Sequence, residues 1–127
     1  ASQADMIWAD KRTLAGSAAE ALDLVATLTN LLTGAAMTFA RIKAVFIYAA
    51  TTNVNNVEVT RTVTTGSNLF LADGDGISLS PGDFFAWGSP TAVGKVVTTA
   101  DTDTITVTNS AGSTDVIYDI VIIGASA

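Results

Sequence analysis

Residues 114–124 read TDVIYDIVIIG and carry apolar side chains on both faces of a predicted β-strand. Successive side chains of a strand alternate between its two faces. One face therefore holds Val116, Tyr118, Ile120 and Ile122, and the other holds Ile117, Asp119, Val121 and Ile123. A strand that is apolar on both faces is disfavoured at a sheet edge in water. We therefore predict a central strand around which the rest of the chain is wrapped.

Shorter strand-like segments, separated by turn residues, recur about every ten residues along the rest of the chain. One such turn is Ser80–Asp83, where Pro81 and Gly82 occupy the two central positions of a type II turn. Regular short strands are typical of antiparallel sandwiches, jelly rolls and small barrels. We predict an all-β fold, an antiparallel β-sandwich of the jelly-roll type. The other expected strands are 6–14, 20–26, 37–50, 57–63, 67–72, 77–80, 84–89, 94–100 and 101–110.

Residues 17–33 fit two local structures. Ser17 and Glu20 have the spacing of a capping box, and leucines and a valine recur at helical intervals from Leu22 to Leu32. Against a helix, apolar residues alternate in LDLV, and Thr27, Thr29 and Asn30 interrupt the pattern. We favour a strand near residues 20–26, followed by a turn or short helical piece at residues 30–33 that ends at Gly34.

The long segment at 37–50 and the alternating segment at 57–63 are separated by the Asn-rich turn TTNVNN. Asn tolerates left-handed backbone and caps its own turns, so this arrangement predicts a hairpin. Arg61 and Asp119 each fall on an apolar strand face, where an unpaired charge is costly. We consider two explanations: the two side chains pair with each other, or both lie at exposed rims.

The chain has 127 residues with no Cys and no His. This length indicates one domain, 1–127, with enough chain to bury a core without a disulfide or a metal. The missing residue types remove thiolate nucleophiles, most zinc sites and the commonest general base. Nucleophile, phosphate-loop and dinucleotide motifs are also missing. We therefore predict a protein that is not an enzyme and that uses no cofactor.

Charge is sparse and uneven. Charged residues make up 14% of the chain, and residues 64–127 hold Lys95 against seven Asp, so the net charge of −6 lies in that half. Because nucleic-acid binding needs a basic surface, nucleic acid is not an expected partner. No apolar run reaches the length of a membrane-spanning helix, so we expect no membrane association and synthesis in the cytoplasm.

Two acidic clusters are candidates for a metal site. Asp73–Gly74–Asp75–Gly76 resembles the opening of a calcium loop, but apolar residues stand where further oxygen ligands are needed. Asp101 and Asp103 share a face if the segment is a strand, as an acid–base pair or metal site would. Turn and strand-edge chemistry explains both clusters better. We predict no metal site.

Aromatic residues are the candidates for binding. Trp8, Trp87 and Tyr48 offer platforms for stacking on sugars, although aromatic residues in β-sandwiches are more often core or interface anchors. Residues 1–10 are a candidate arm that reaches onto a neighbouring subunit. The expected interface residues are Met6, Ile7, Trp8, Phe84, Phe85 and Trp87.

The chain resembles the small all-β structural proteins of tailed bacteriophages. The likeness lies in ALDLVATLTN near residues 21–30, MTFARIKAVFIYAA at 37–50, LSPGDFFAW at 79–87 and VIYDIVIIGASA at 116–127. It covers most of the chain and is a likeness of pattern, with no catalytic motif to transfer. It implies a virion component, such as a capsid decoration (cement) protein that contacts the major capsid protein and copies of itself as a dimer or trimer. A tail or fibre part, or a lectin-like module that binds a host glycan, is the alternative.

Overall fold

The computed structural model describes residues 3–127, and this part of the chain folds into β-strands joined by turns and loops. The strands are β1 (Met6–Leu14), β2 (Ala19–Asp23), β3 (Val25–Thr29), β4 (Ala36–Thr38), β5 (Arg41–Ala49), β6 (Val57–Thr60), β7 (Gly76–Leu79), β8 (Phe84–Gly88), β9 (Lys95–Val96), β10 (Thr104–Asn109) and β11 (Val116–Ala125). The predicted all-β class is confirmed. In residues 3–127, no helix has the length and hydrophobicity needed to cross a membrane.

The strands form two main antiparallel sheets that face each other. Sheet 1 has the order β1-β11-β5-β8, and the short β9 also pairs with β5. Sheet 2 has the order β2-β10-β6-β7, and β3 and β4 form a separate two-stranded sheet. Strands that follow each other in the chain mostly lie in different sheets, as β1 and β2 do, and β5 and β6. The two sheets thereby bury their inner faces against one core.

The last strand is central, as the sequence predicts. β11 pairs with β1 along the register Met6–Gly124 to Leu14–Val116, and with β5 on its other side. Its inner face carries Val116, Tyr118, Ile120 and Ile122, all fully buried. Opposite them, sheet 2 contributes Val57, Val59, Leu79, Ile105 and Val107 to the same core. A central position suits this apolar strand, because β11 has a hydrogen-bonded neighbour on each side and its inner face is covered.

The predicted hairpin is wrong, because β5 and β6 belong to different sheets and the chain between them passes from one sheet to the other. The strand expected at residues 67–72 is also wrong, since this segment forms turns and bends. In residues 17–33 the favoured strand is confirmed as β2 and β3, and a turn without helix follows at residues 31–33. The strand expected at residues 6–14 is confirmed as β1, an edge strand with Trp8 in the core, so residues 6–10 of the candidate arm lie in this strand. Residues 1 and 2 of that arm lie outside the described part of the chain.

The proposed pair of Arg61 and Asp119 is also wrong. Arg61 follows β6, and its Nη1 donates hydrogen bonds to the carbonyls of Phe70 and Leu71 at 3.1 and 3.0 Å. Its Nε lies 3.1 Å from Oδ1 of Asp73, close enough for an ion pair although the angle is poor for a hydrogen bond. Asp119 lies on the other sheet, opposite Lys11 and Tyr48. Arg61 therefore holds the 70–73 loop against the end of sheet 2.

Candidate functional site

The outer face of sheet 1 is apolar, and we call it the outer apolar face. It runs in register across four strands, so that Ala9, Val121, Phe46 and Ala86 form one row. The face comprises Ile7, Ala9, Lys11 and Thr13 of β1; Ile117, Asp119, Val121 and Ile123 of β11; Ala44, Phe46 and Tyr48 of β5; and Phe84, Ala86 and Gly88 of β8. A solvated sheet face is seldom this apolar, because antiparallel sheets usually place polar residues toward water.

Large apolar side chains on this face are open to solvent. Phe84 is 62% exposed, Ile7 is 60% exposed and Phe46 is 41% exposed. The rings of Phe46 and Phe84 stack with their centroids 5.6 Å apart. Contiguous exposed apolar surface of this kind marks an interaction site in soluble proteins. The stacked rings form its most prominent feature.

The outer face of sheet 2 has the opposite character. Its side chains are small or polar, and they lie on the side of the sheet opposite the buried residues. Those buried residues include Leu22, Val59, Ile105 and Val107. They are Ala19, Ala21, Glu58, Thr60, Ser78, Thr106 and Thr108. This is the ordinary pattern of a half-solvated antiparallel sheet. The contrast within one domain makes the outer face of sheet 1 the candidate interaction surface.

The outer apolar face carries one charged pair of positions. Lys11 and Asp119 are directly opposed on the neighbouring strands β1 and β11. Within residues 3–127, the ion pairs are Arg12 with Asp10, Arg12 with Glu20 and Arg61 with Asp73, so Lys11 and Asp119 are not joined. Their opposite signs nevertheless leave the face with no net charge.

The expected interface residues divide between the core and the surface. Ile7 and Phe84 lie on the outer apolar face, as an interface role requires. Trp8 is only 3% exposed, and Met6, Phe85 and Trp87 are partly buried against the core. The sequence analysis missed Phe46, Val121 and Ile123. Their signal was present, because these residues fill the second apolar face of β5 and β11.

The sugar-stacking interpretation loses Trp8, which is in the core. Trp87 points to the inner side of sheet 1, and Nζ of Lys95 lies 5.8 Å from the centre of its ring. Tyr48 lies on the outer apolar face beside Phe84. The aromatic group of the outer apolar face is thus Phe46 and Phe84, which are exposed, and Tyr48, which is half-buried.

The acidic clusters are used by local turns. Asp75 Oδ2 accepts a hydrogen bond from the backbone N–H of Ala72 at 2.9 Å. Asp103 Oδ2 accepts one from the N–H of Ala100 at 2.6 Å, while Asp101 is exposed in the same turn. In the described residues, no three Asp, Glu, His or Cys side chains are grouped as a metal site would need.

Lys43 lies at an irregularity in the pairing of β5 with β11, where the register shifts between Ile123 and Gly124. Its side chain is buried and its Nζ donates hydrogen bonds to the carbonyls of Thr91, at 2.6 Å, and Ala92. The same residues line a cleft of about 400 Å³ that Gln3 and Ala4 close on one side. Lys43 therefore holds the 89–94 loop in place. The sequence indicates only a polar residue on a strand here.

A polar cluster joins the two sheets at one edge. Glu20 on β2 accepts hydrogen bonds from Arg12 Nε at 3.1 Å, from Arg12 Nη2 at 2.6 Å and from the hydroxyl of Tyr118. Burial is the largest single effect on Glu20 and raises its pKa. The hydrogen bonds from Arg12 and Tyr118, together with the charge of Arg12, outweigh it and lower the pKa overall.

The partners of Glu20 shift in the complementary direction. Burial, followed by the hydrogen bond to Glu20, raises the pKa of Tyr118 well above its ordinary value. The hydrogen bond to Glu20 also raises the pKa of Arg12. The cluster is therefore a neutral tyrosine and an ion pair over the whole physiological range. Its role is structural, because it ties β1, β2 and β11 together.

Comparisons with models of protein families, with curated proteins and with solved structures find no match to this chain.

Proposed function

We propose that this protein is a structural virion protein, a decoration (cement) protein that stabilises the head of a tailed bacteriophage. The observation that carries the proposal is the outer apolar face of sheet 1, with Phe84 and Ile7 largely exposed. A protein that works by burying surface between subunits needs such a face on a rigid scaffold. The resemblance to small all-β phage proteins supplies the setting. The proposed role is not enzymatic.

The order of the strands in the two sheets supports this proposal by analogy. We propose that the domain is a jelly roll, with sheet 1 in the order β1-β11-β5-β8 and sheet 2 in the order β2-β10-β6-β7. Jelly rolls occur in viral capsid proteins, and also in lectins and cupins. A shared fold does not carry function by itself, so the fold alone leaves the capsid and lectin roles equally open. The outer apolar face favours the capsid role.

The proposed partners are the major capsid protein and copies of the chain itself, and the proposed location is the virion. Two leucines offer contacts to the capsid that lie outside the sheets. Leu32 in the β3–β4 turn is 95% exposed and Leu71 in the 61–75 loop is 97% exposed. Side chains this large and this open contribute little to the fold and are suited to a second surface.

Particles purified from the encoding phage test the location. We expect mass spectrometry to find the chain in a fixed ratio to the major capsid protein. Particles that lack the chain should lose DNA at a lower temperature and recover when purified protein is added. Absence of the chain from the particles would overturn the proposal.

The aromatic group of the outer apolar face, Phe46, Tyr48 and Phe84, supports one alternative, a tail or fibre module that binds a host glycan. Aromatic faces stack on sugar rings, and here three lie together. In that case the chain would occur in the particle at the copy number of tail proteins. A saccharide would bind the purified protein, and Phe84→Ala would abolish the binding. The glycan-binding alternative would be excluded if a glycan array detects no binding and the chain occurs in the particle at the copy number of head proteins.

A further inference from the structure

We infer that the outer apolar face is covered by a second copy of this chain, in a twofold-symmetric dimer with the two sheets packed face to face. The inference rests on the proposed function only in treating this face as a protein interface, and it does not depend on a location in the virion. Three features of the face favour its own copy as the occupant: its shape, its charge and its size.

The shape of the face is uneven along β5 and β8. Tyr48 and Phe84 are opposed at one end, Phe46 and Ala86 in the middle, and Ala44 and Gly88 at the other end. One end is thus a ridge of aromatic rings, and the other end is a hollow lined by a methyl group and a glycine. Side chains from two packed sheets interdigitate across about 10 Å. A ridge therefore needs a hollow opposite it.

A twofold axis supplies that match from one surface. An axis that lies between the sheets and crosses β5 at Phe46 places Phe46 over its own copy. It also places the ridge, Tyr48 and Phe84, over the hollow, Ala44 and Gly88, of the second copy. Because twofold interfaces use the same patch twice, the second ridge fills the first hollow in the same way.

Charge points to the same arrangement. The chain carries a net charge of −6, so two copies repel each other through most surfaces. The outer apolar face holds one cation and one anion, Lys11 and Asp119, at opposed positions. A dimer through this face brings together two neutral surfaces. It also lets Lys11 and Asp119 of each copy pair with each other when water is removed.

The size of the face is sufficient for association. Four strands spaced about 4.8 Å apart, with about 3.4 Å per residue along them, give a face of about 20 Å by 25 Å. Two such faces bury about 1,000 Å² in projection, which is the lower bound for a specific interface. We therefore expect a reversible dimer whose population depends on concentration.

The experiment measures the mass of the purified chain by light scattering and sedimentation equilibrium over a range of concentrations. We compare the wild type with Phe84→Lys, which removes the ridge, and Gly88→Glu, which fills the hollow. Both positions tolerate change in the monomer: Phe84 is largely exposed, and a side chain at Gly88 meets only the carbonyl of Lys43 at 4.0 Å. Ala21→Glu, on the outer face of sheet 2, is the matched control. Circular dichroism verifies that each variant is folded.

The wild type and Ala21→Glu should dimerise with equal affinity. Each variant of the face should weaken the dimer by about tenfold or more, because the twofold axis repeats each change and disrupts the contact of ridge and hollow at both ends of the interface. An equimolar mixture of Phe84→Lys and Gly88→Glu should form a mixed dimer. In that dimer, one ridge meets one hollow as in the wild type, and the introduced lysine meets the introduced glutamate.

A wild type that remains monomeric at every concentration would overturn the inference, as would a dimer that both face variants leave intact. Failure of the mixture to associate, when each variant alone is monomeric, would overturn the pairing of ridge and hollow. These results are separable from the proposed function. If the chain is monomeric but present in phage particles, only the dimer is overturned. If the chain dimerises but is absent from particles, only the virion role is overturned.

Discussion

The hydroxyl of Tyr118, on the central strand of sheet 1, donates a hydrogen bond to the carboxylate of Glu20 on the edge strand of sheet 2. Arg12 donates two further hydrogen bonds to the same carboxylate, and a third to Asp10. Glu20 thereby connects the two sheets at the side of the sandwich where β1 turns into β2. A carboxylate with three donors is stable in a partly buried position because its charge is compensated.

Acid should destabilise the protein through Glu20. Its pKa is lowered in the folded state, so its contribution is complete above the ordinary value of 4.5 and is lost as the pH falls through the folded pKa. We expect the thermal midpoint to fall as the pH is lowered from about 5 to about 3, because such a carboxylate titrates in this range. Glu20→Gln should lower the midpoint at pH 7 and flatten this acid limb. Glu58→Gln, on the outer face of sheet 2, is the control and should leave the wild-type profile in place.

Alkali should act through Tyr118. Its pKa is raised in the folded state, so its contribution is complete below the ordinary value of 10.0 and is lost as the pH rises above it. We expect the free energy of unfolding to fall above about pH 10 in the wild type. In Tyr118→Phe that alkaline fall should be smaller, although the variant starts from a lower stability at pH 7. Urea titrations at pH 7 and pH 11 measure both quantities, and equal alkaline losses in the two proteins would contradict the assignment.

Gly124→Ala should be strongly destabilising. A Cβ at this position would lie 2.4 Å from the carbonyl oxygen of Arg41 and 2.5 Å from the ring of Phe39. Relief requires the backbone of β5 to move, so we expect a loss of about 1–3 kcal/mol in urea unfolding. Gly88→Ala, in the same sheet, is the matched control, because its Cβ meets no atom closer than 4.0 Å. Because Gly→Ala lowers the entropy of the unfolded chain, which favours folding, an equal loss in Gly88→Ala would contradict the clash as the cause.

Asn109→Ala should lower the free energy of unfolding more than an ordinary surface substitution does. The buried Asn109 donates hydrogen bonds to the carbonyls of Leu14, Ala15 and Thr114, and accepts one from Asn55 at 2.9 Å. Truncation leaves these buried groups without a partner, which costs about 1–3 kcal/mol. The free energy of unfolding in urea measures the loss. Asn56→Ala is the control: its side-chain bond to Ser78 is exposed, and a loss of equal size there would refute the burial argument.

Substitution of the exposed leucines should separate binding from folding. Leu32→Ser and Leu71→Ser should change the free energy of unfolding by less than about 0.5 kcal/mol, because both side chains project into solvent. In co-sedimentation with phage heads, either substitution should weaken binding if that leucine contacts the capsid. Ser113→Ala, in another exposed connection, is the control. Full binding by both leucine variants would remove these residues from the proposed capsid contact.

Much of the strand pattern could be predicted from the sequence. Period-two alternation and turn chemistry are local properties, so β1, β5, β10 and the central β11 were found near their true positions. The candidate site was predicted only in part, through Ile7 and Phe84. Local pattern could not decide that β5 and β6 lie in different sheets, because an Asn-rich connection suits a hairpin and a crossing between sheets alike.

The polar contacts show the same division. Asn55 and Asn109 look like turn residues in the sequence, yet both are buried. Asn55 donates a hydrogen bond to the carbonyl of Ala111, and Asn109 donates one to the carbonyl of Leu14, each more than 50 positions away along the chain. Glu20 has the spacing of a helix cap with Ser17, but its partners are Arg12 and Tyr118. A side chain pairs with the donors that the fold brings near it, and sequence spacing does not reveal them.

By itself, the sequence determined that the chain is all-β, that its last strand is central and which residues of that strand share a face. Only the tertiary structure decided which of the two apolar faces of β11 is covered. The physical reason is that alternation places residues on faces strand by strand, whereas burial depends on what packs against the sheet. Sheet 2 covers Tyr118 and Ile120, and leaves Val121 and Phe46 on the outer apolar face.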